Sequence, residues 1–320
     1  MRKTHFLCIE SINLFSYTTD MRILVTGGSG FLGQHLCRAL LSAGHELTNI
    51  DLKPNTEVKT VIGDVRDEEL IDHVMAEQEV VFHLASLIEA GESVEKPKIY
   101  LENNILGTLA VLESMRKHQV KKFLFSSSAA IYGEPLRTPI QEDDRTIPIN
   151  PYGVTKLAME GLVSSYVSSF GITGVALRYF NLYGPGENHE PETHAIPRFI
   201  QQIGRDEEVT VWGDGSNRRD YIYIEDVVRA HVLALSLPQG YHYMNLSGEN
   251  ATSVNEIIHM LEEITGKTAR VKNYPARSGD SHELFADSSK AKQVIGWEAE
   301  TDIREGLEKT VEWFLSGKKL

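Results

Sequence analysis

The chain predicts a doubly wound parallel α/β sheet joined to a smaller mixed α/β domain, on three observations. An apolar strand, a glycine turn and an amphipathic helix follow one another directly between Arg22 and Gly44. Strand and helix patterns then alternate as far as Arg178, the order that builds a parallel sheet with helices on both faces. Beyond Arg178 the alternation loosens into loops rich in Gly and Pro, at Gly184-Pro185-Gly186, Pro191 and Gly213-Asp214-Gly215.

Ile23, Leu24 and Val25 form an apolar run whose length suits a buried parallel strand. TGGSGFLG, from Thr26 to Gly33, makes the turn, and the helix that begins at Phe31 and Leu32 stops near Gly44. Open backbone N–H groups and the helix dipole favour a phosphate there, and glycines let it come close. An ordinary strand-to-helix turn also uses glycines, so context decides. Glu46 to Ile50 reads as the second strand and ends in Asp51. That is about 20 residues beyond the glycines, where a carboxylate accepts hydrogen bonds from an adenosine ribose and repels a 2′-phosphate. The unit is therefore Rossmann-type and points to NAD rather than NADP.

Val58 to Ile62 reads as a third strand ending in Gly63-Asp64-Val65. Asp64 is either a helix N-cap or the acid that takes the adenine amine, with Val65 beside it. A helix from Glu68 to Ala76 and a strand from Val80 to Leu84 follow, and small residues at Ala85 and Ser86 leave room for a ligand. Glu92 to Lys117 carries helical periodicity interrupted by Pro97. Asn103 and Asn104 lie within it, either on a solvated face or as a buried brace. Lys122 to Phe125 is a strand that runs into Ser126-Ser127-Ser128; a helix opens at Asn150-Pro151 and runs to Phe170; a strand covers Gly174 to Leu177. The chain is expected to cross back to the large sheet around Tyr221 to Leu237. Ile303, Leu307, Val311 and Phe314 space out a packing face on the last helix.

The expected domains are residues 21–180 with about 220–247 as the dinucleotide unit, and about 181–219 with 248–320 as the substrate unit. Residues 1–20 are read as an extension, disordered or non-native, that ends where Met21 precedes the first strand. Among 320 residues, 32 are basic and 45 acidic, a formal net charge of −13, which argues against nucleic acid as a partner. No apolar run reaches membrane-spanning length. Two cysteines, Cys8 and Cys37, imply no disulfide framework and suit a reducing cytoplasm. No metal site is read.

Tyr152 and Lys156 are four apart on one helix and share a face. A free tyrosine is a poor base at neutral pH until a nearby ammonium and a cationic nicotinamide favour its phenolate. Ser128, at a strand's carboxyl end, is placed to hydrogen-bond the same substrate hydroxyl.

TGGSGFLG and the Tyr152/Lys156 pair with Ser128 upstream resemble the short-chain dehydrogenase/reductase superfamily. GESVEKP, ENNILGTL, FSSSAAIYGEP, NPYGVTKLAME, LRYFNLYGP and RRDYIYIEDVVRAH are similar to its extended branch, the UDP-glucose 4-epimerases in particular, from Met21 to the C-terminus. The resemblance implies a catalytic Ser128, Tyr152 and Lys156. It implies tightly bound NAD on Gly27, Gly30, Phe31, Leu32, Gly33, Asp51, Asp64, Val65, Leu84, Ala85, Ser86, Asn103, Ser126, Tyr152, Lys156 and Tyr179, with Asn103 as the family's buried asparagine. For a UDP-sugar it implies Ser128, Tyr152, Asn181, His194, Arg219, Arg277, Asp280 and Leu284, with Val211 and Trp212 lining the uracil pocket. Guanidinium groups suit diphosphate oxygens, although surface salt bridges are the plain alternative for both arginines. A homodimer through helices near Lys98 to Lys117 and Pro151 to Phe170 is also implied.

Three positions depart from the pattern. Ile88 replaces a lysine near the cofactor, His194 replaces an asparagine, and Leu284 is intermediate between the bulky and small residues that gate the sugar pocket. Ala129 and Ala130 stand where dehydratases carry an acid pair, and methyl groups transfer no protons. The expected function is NAD-dependent 4-epimerisation of a UDP-hexose, UDP-glucose/UDP-galactose with the N-acetyl sugars open, through a 4-keto sugar. The alternatives are a uronate 4-epimerase or a dehydratase, which would need an acid such as Glu134 or Glu89, and a non-catalytic dinucleotide sensor.

Overall fold

The computed structural model describes residues 20–187, 194–249, 251–276 and 283–317. The extension read at the N-terminus, apart from Asp20, lies outside the described residues with Cys8, as do the candidate substrate residues Arg277 and Asp280.

The first strand, β1 (Arg22–Thr26), leads through the glycine turn into α1 (Phe31–Ser42). β2 (Glu46–Asp51) and β3 (Thr60–Ile62) follow, with Val58 buried just before β3 rather than within it. Next come α2 (Glu68–Met75) and β4 (Val80–His83). The long periodic stretch is broken as Pro97 foretells, into α3 (Ala90–Glu95), α4 (Pro97–Tyr100), a π-helical turn at Leu101–Leu106 and α5 (Gly107–His118). β5 (Lys122–Ser128) includes the three serines. α6 (Pro151–Phe170) starts where the Asn150 side chain accepts from the Gly153 N–H at 2.8 Å, with Pro151 pre-set for the first turn. It stops at Gly171, whose φ of +66° a side chain would resist. β6 (Thr173–Tyr179) closes this part.

The remainder comprises β7 (Asn181–Tyr183), α7 (Ala195–Gly204), β8 (Glu208–Trp212), β9 (Arg218–Tyr223), α8 (Ile224–Leu233) and β10 (Tyr241–Leu246). Then come β11 (Ala251–Ser253), α9 (Val254–Thr265), β12 (Arg270–Tyr274), β13 (Glu283–Leu284), α10 (Ser289–Ile295) and α11 (Ile303–Ser316).

Among the described residues, seven parallel strands run in the order β10-β6-β5-β4-β1-β2-β3. Alternation along β1 divides the core: Ile23 and Val25 pack with Leu32, Leu36 and Leu40, whereas Leu24 joins Ile71, Val111 and Met115. The order turns back between β1 and β4, where the carboxyl ends of neighbouring strands open a crevice. A smaller sheet holds β11-β9-β13 with β7 on β9, and β8 pairs with β12. The return to the large sheet is made by α8, packed on α1, and by β10 at its edge. Tyr221 itself belongs to β9 in the small sheet, so the crossing starts later than the sequence suggested.

Candidate active site

The glycine turn is shaped for close approach. Gly27 has φ +76°, and a Cβ there would lie 2.7 Å from the Ala85 nitrogen; a Cβ at Gly33 would lie 2.2 Å from the Gly27 oxygen. These two glycines are explained by protein packing. Gly30 is not: its backbone is ordinary extended chain, and an added Cβ would meet only the Gly27 oxygen, at 3.3 Å. Gly30 also caps α1 without a side chain on the first turn. The space over Gly30 is thus left for something other than the protein, and a helix N-terminus faces it. Asp51 accepts from the Ser29 N–H at 2.9 Å, which fixes its carboxylate beside the turn. These features fit a dinucleotide.

Asp64 does not cap α2; Asp67 does, accepting from the Leu70 N–H at 3.1 Å. Asp64 instead binds the Arg66 guanidinium, at 2.5 Å, and that bond holds its carboxyl below the usual range. Val65 beside it is buried against Gly107.

Across the crevice, Ser86, Ser126, Ser128, Tyr152, Lys156 and Tyr179 meet at the carboxyl ends of β4, β5 and β6. Lys156 is 1% exposed; its ammonium donates to Ser86 Oγ at 2.9 Å and to the Ser126 carbonyl at 2.8 Å. It lies 5.8 Å from the centre of the Tyr152 ring. Burial pushes Tyr152 up to about 12, while the neighbouring Ser128 hydroxyl pulls the other way and the Glu89 carboxylate adds to the rise. Burial pulls Lys156 down to about 7. The expectation that Lys156 would favour the phenolate is therefore outweighed: in the protein alone, removal from water favours the neutral form of both groups. Ser126 likewise opposes the burial that raises Tyr179.

The low value of Lys156 has a consequence for stability. Between pH 7 and about 10.5 the unfolded lysine holds a proton that the folded one has lost, so stability rises with pH across that window. Compared with Lys156→Met in urea melts, the wild type should gain on the variant from pH 7 to pH 10; a constant difference would contradict it.

The buried asparagine is Asn104, not Asn103. Asn104 accepts from the Leu87 N–H at 2.8 Å and donates to the Leu87 carbonyl at 3.0 Å and to Thr155 Oγ1 at 2.9 Å. It ties the segment after β4 to the helix that bears Tyr152 and Lys156. Asn103 next to it is half-buried.

The small sheet gathers three of the substrate candidates, Asn181, Arg219 and Leu284. Asn181 on β7 donates to the Asp220 carbonyl at 2.9 Å, and Leu284 on β13 pairs with Arg219 on β9. Leu284 packs against the cluster of Ala129, Ile131 and Phe180, next to Ser128. Val211 is buried in β8, and half-buried Trp212 sits 5.4 Å from the Tyr274 ring.

Glu89, Glu187 and His194 form a charged cluster, of which Glu89 acts on Tyr152. His194, the N-cap residue of α7, lies 2.6 Å from Glu187 through Nδ1 and 3.3 Å from Glu89 through Nε2. Burial alone would lower His194, but the two carboxylates outweigh it and raise the imidazole to about 10. Glu134, by contrast, is exposed. Deeper in, Arg178 and Glu160 pair at 2.6 Å with both side chains 6% exposed, and Glu160 also accepts from Ser127 Oγ at 2.5 Å.

A model of the NAD dependent epimerase/dehydratase family matches residues 23–246. The chain belongs to that family. Among its members, a UDP-glucose 4-epimerase of Corynebacterium glutamicum is 41% identical over 307 residues, 89% of this chain and 93% of that one. The crystal structure of UDP-glucose 4-epimerase from Thermotoga maritima with UDP-glucose superposes at a TM-score of 0.89 and 36% identity, over 92% of this chain and 99% of that one. MoeE5 in complex with UDP-glucuronic acid and NAD superposes at 0.88 with 34% identity, over 93% and 100%. The family's dinucleotide chemistry accords with the room over Gly30 and the fixed carboxylate of Asp51. Among the described residues, no helix is long and apolar enough to cross a membrane.

Proposed function

We propose that this chain catalyses NAD-dependent 4-epimerisation of a UDP-hexose, UDP-glucose/UDP-galactose, through a transient 4-keto sugar. The observation that carries the reading is the meeting of Ser128, Tyr152 and Lys156 at the sheet's carboxyl edge, opposite the glycine turn. Bound NAD would accept the hydride from C4, return it to the other face, and place a positive ring beside Tyr152. Gly27, Gly30, Phe31, Leu32 and Gly33 would hold the pyrophosphate end, Asp51 the adenosine ribose, and Asp64 and Val65 the adenine. Leu84 to Ser86, Asn103, Ser126 and Tyr179 would flank the nicotinamide end, and Lys156 would hold its ribose. Tyr152, with Ser128 on the same oxygen, would take the C4 hydroxyl proton and give it back.

Asn181, Arg219, Arg277 and Asp280 are proposed for the diphosphate and ribose, Val211 and Trp212 for the uracil, and His194 and Leu284 for the sugar side. Anchoring the part that does not react lets the keto sugar turn while the nucleotide stays. The two proposed units are 21–180 with 220–247, and 181–219 with 248–320. Exposed Ile99, Leu106 and Val154, on the segments packed about α6, support a homodimer through those helices. The free, buried thiol of Cys37 accords with a cytoplasmic enzyme.

A proton NMR time course of the purified protein with UDP-galactose and, separately, UDP-N-acetylgalactosamine tests the reading. Conversion of UDP-galactose to its gluco epimer is expected, and the ratio of the two rates reports what Leu284 admits. No conversion of either, with NAD supplied, sinks the proposal for these sugars.

A further inference from the structure

We infer that Glu89 determines specificity in the sugar pocket, favouring hexoses that are uncharged at C6 and rejecting uronates. The inference rests on the function proposed above and names the sugar class of that same site.

Glu89 precedes α3, and its carbonyl accepts from the Ser93 N–H at 3.0 Å. Ser93 in turn accepts from the Tyr152 N–H at 3.1 Å, so one short helix links Glu89 to the backbone of the catalytic tyrosine. The Glu89 side chain reaches in the other direction, to His194 at the start of α7. It therefore bridges the large sheet's side of the crevice and the start of the helix that follows the small sheet's first strand. Through Ser93 it stands beside the start of the helix that bears Tyr152, at the rim of the region where C4 would react, and its carboxylate adds to the rise of the phenol's pKa.

In a hexose C6 hangs from C5, next to C4, and a uronate carries its carboxylate there. That charge would have to enter beside the half-buried carboxylate of Glu89, and two like charges brought together in a filled crevice repel. A neutral C6 hydroxyl has the opposite relation to Glu89, because it donates to a carboxylate. His194 does not reverse the preference, since Glu187 and Glu89 flank its imidazolium on both nitrogens. Discrimination thus comes from a repulsive element as well as an attractive one.

The test compares UDP-glucose and UDP-glucuronate as substrates of the wild type, Glu89→Gln and Glu89→Ala, by kcat/KM for 4-epimerisation, with NAD supplied. The wild type should favour UDP-glucose by at least tenfold. Glu89→Gln keeps the size and a hydrogen-bonding group but removes the charge, and should move the ratio toward the uronate by roughly tenfold to a hundredfold. Glu89→Ala should move it the same way. A wild type that takes both sugars equally, or active variants whose ratio stays put, overturns the inference while leaving 4-epimerisation intact. A wild type that turns over neither sugar overturns the proposed function, and this inference with it.

Discussion

Replacing Tyr152 with phenylalanine is expected to lower 4-epimerisation by about 10²–10⁴-fold, the range that general acid–base groups contribute. The ring and its place 5.8 Å from Lys156 would remain, and only the hydroxyl facing Ser128 would go. None of the groups proposed to grip the dinucleotide's pyrophosphate and adenosine ends is altered, so NAD should copurify as in the wild type. Steady-state turnover, with nucleotide released on denaturation and quantified, separates the two effects. A protein that served only as a dinucleotide sensor would be indifferent to the change. Loss of both activity and bound NAD would place Tyr152 in binding rather than proton transfer.

Arg178→Met should cost about 3–5 kcal/mol of folding stability, the usual penalty for leaving one member of a buried pair uncompensated. Arg178 on β6 makes two charge-assisted bonds to Glu160 on α6, at 2.9 and 2.6 Å, and donates to the Tyr132 hydroxyl at 2.8 Å. Glu160 lies one turn beyond Lys156 on the same helix, so the pair fixes the helix that carries the chemistry. Combining Arg178→Met with Glu160→Gln should restore most of the loss, because no buried charge is then left alone. Urea unfolding midpoints of the two variants decide this. A single variant within about 1 kcal/mol of the wild type would mean that water reaches Glu160 freely.

The parts of the fold that the sequence made legible are those with local causes. The bounds of β1, α1 and β2 follow from an apolar run, a glycine turn and a helix stop, all within thirty residues of each other. Tyr152 and Lys156 were readable because a helix fixes residues four apart on one face. Asn104 was misread as Asn103 for an equally local reason that leaves no mark in the sequence. A π-helical turn spans Leu101–Leu106, and its wider turn shifts the helical phase. The phase shift brings the second asparagine inward, where an unbroken α-helical count gives no ground for choosing between them.

Other residues escaped because their partners are distant in the chain. Arg178 and Glu160 meet only once β6 lies beside α6, and Glu89 and His194, more than a hundred positions apart, meet only once the chain brings together the residues that precede α3 and α7. In the sequence Glu89 stands out only as an acid that a dehydratase would need. The direction of the Tyr152 and Lys156 shifts was hidden for a different reason. Sequence spacing reveals that an ammonium is near a phenol, but not how far both are removed from water, and burial is the larger effect here.

In the proposed reaction the hydrogen removed from C4 returns to C4 on the opposite face. Incubating the purified protein with UDP-galactose deuterated at C4, in ordinary water, tests it most directly. Mass spectrometry and NMR of the UDP-glucose formed should find the deuterium retained at C4. Product with hydrogen at C4 from solvent would contradict a hydride held and returned within one site.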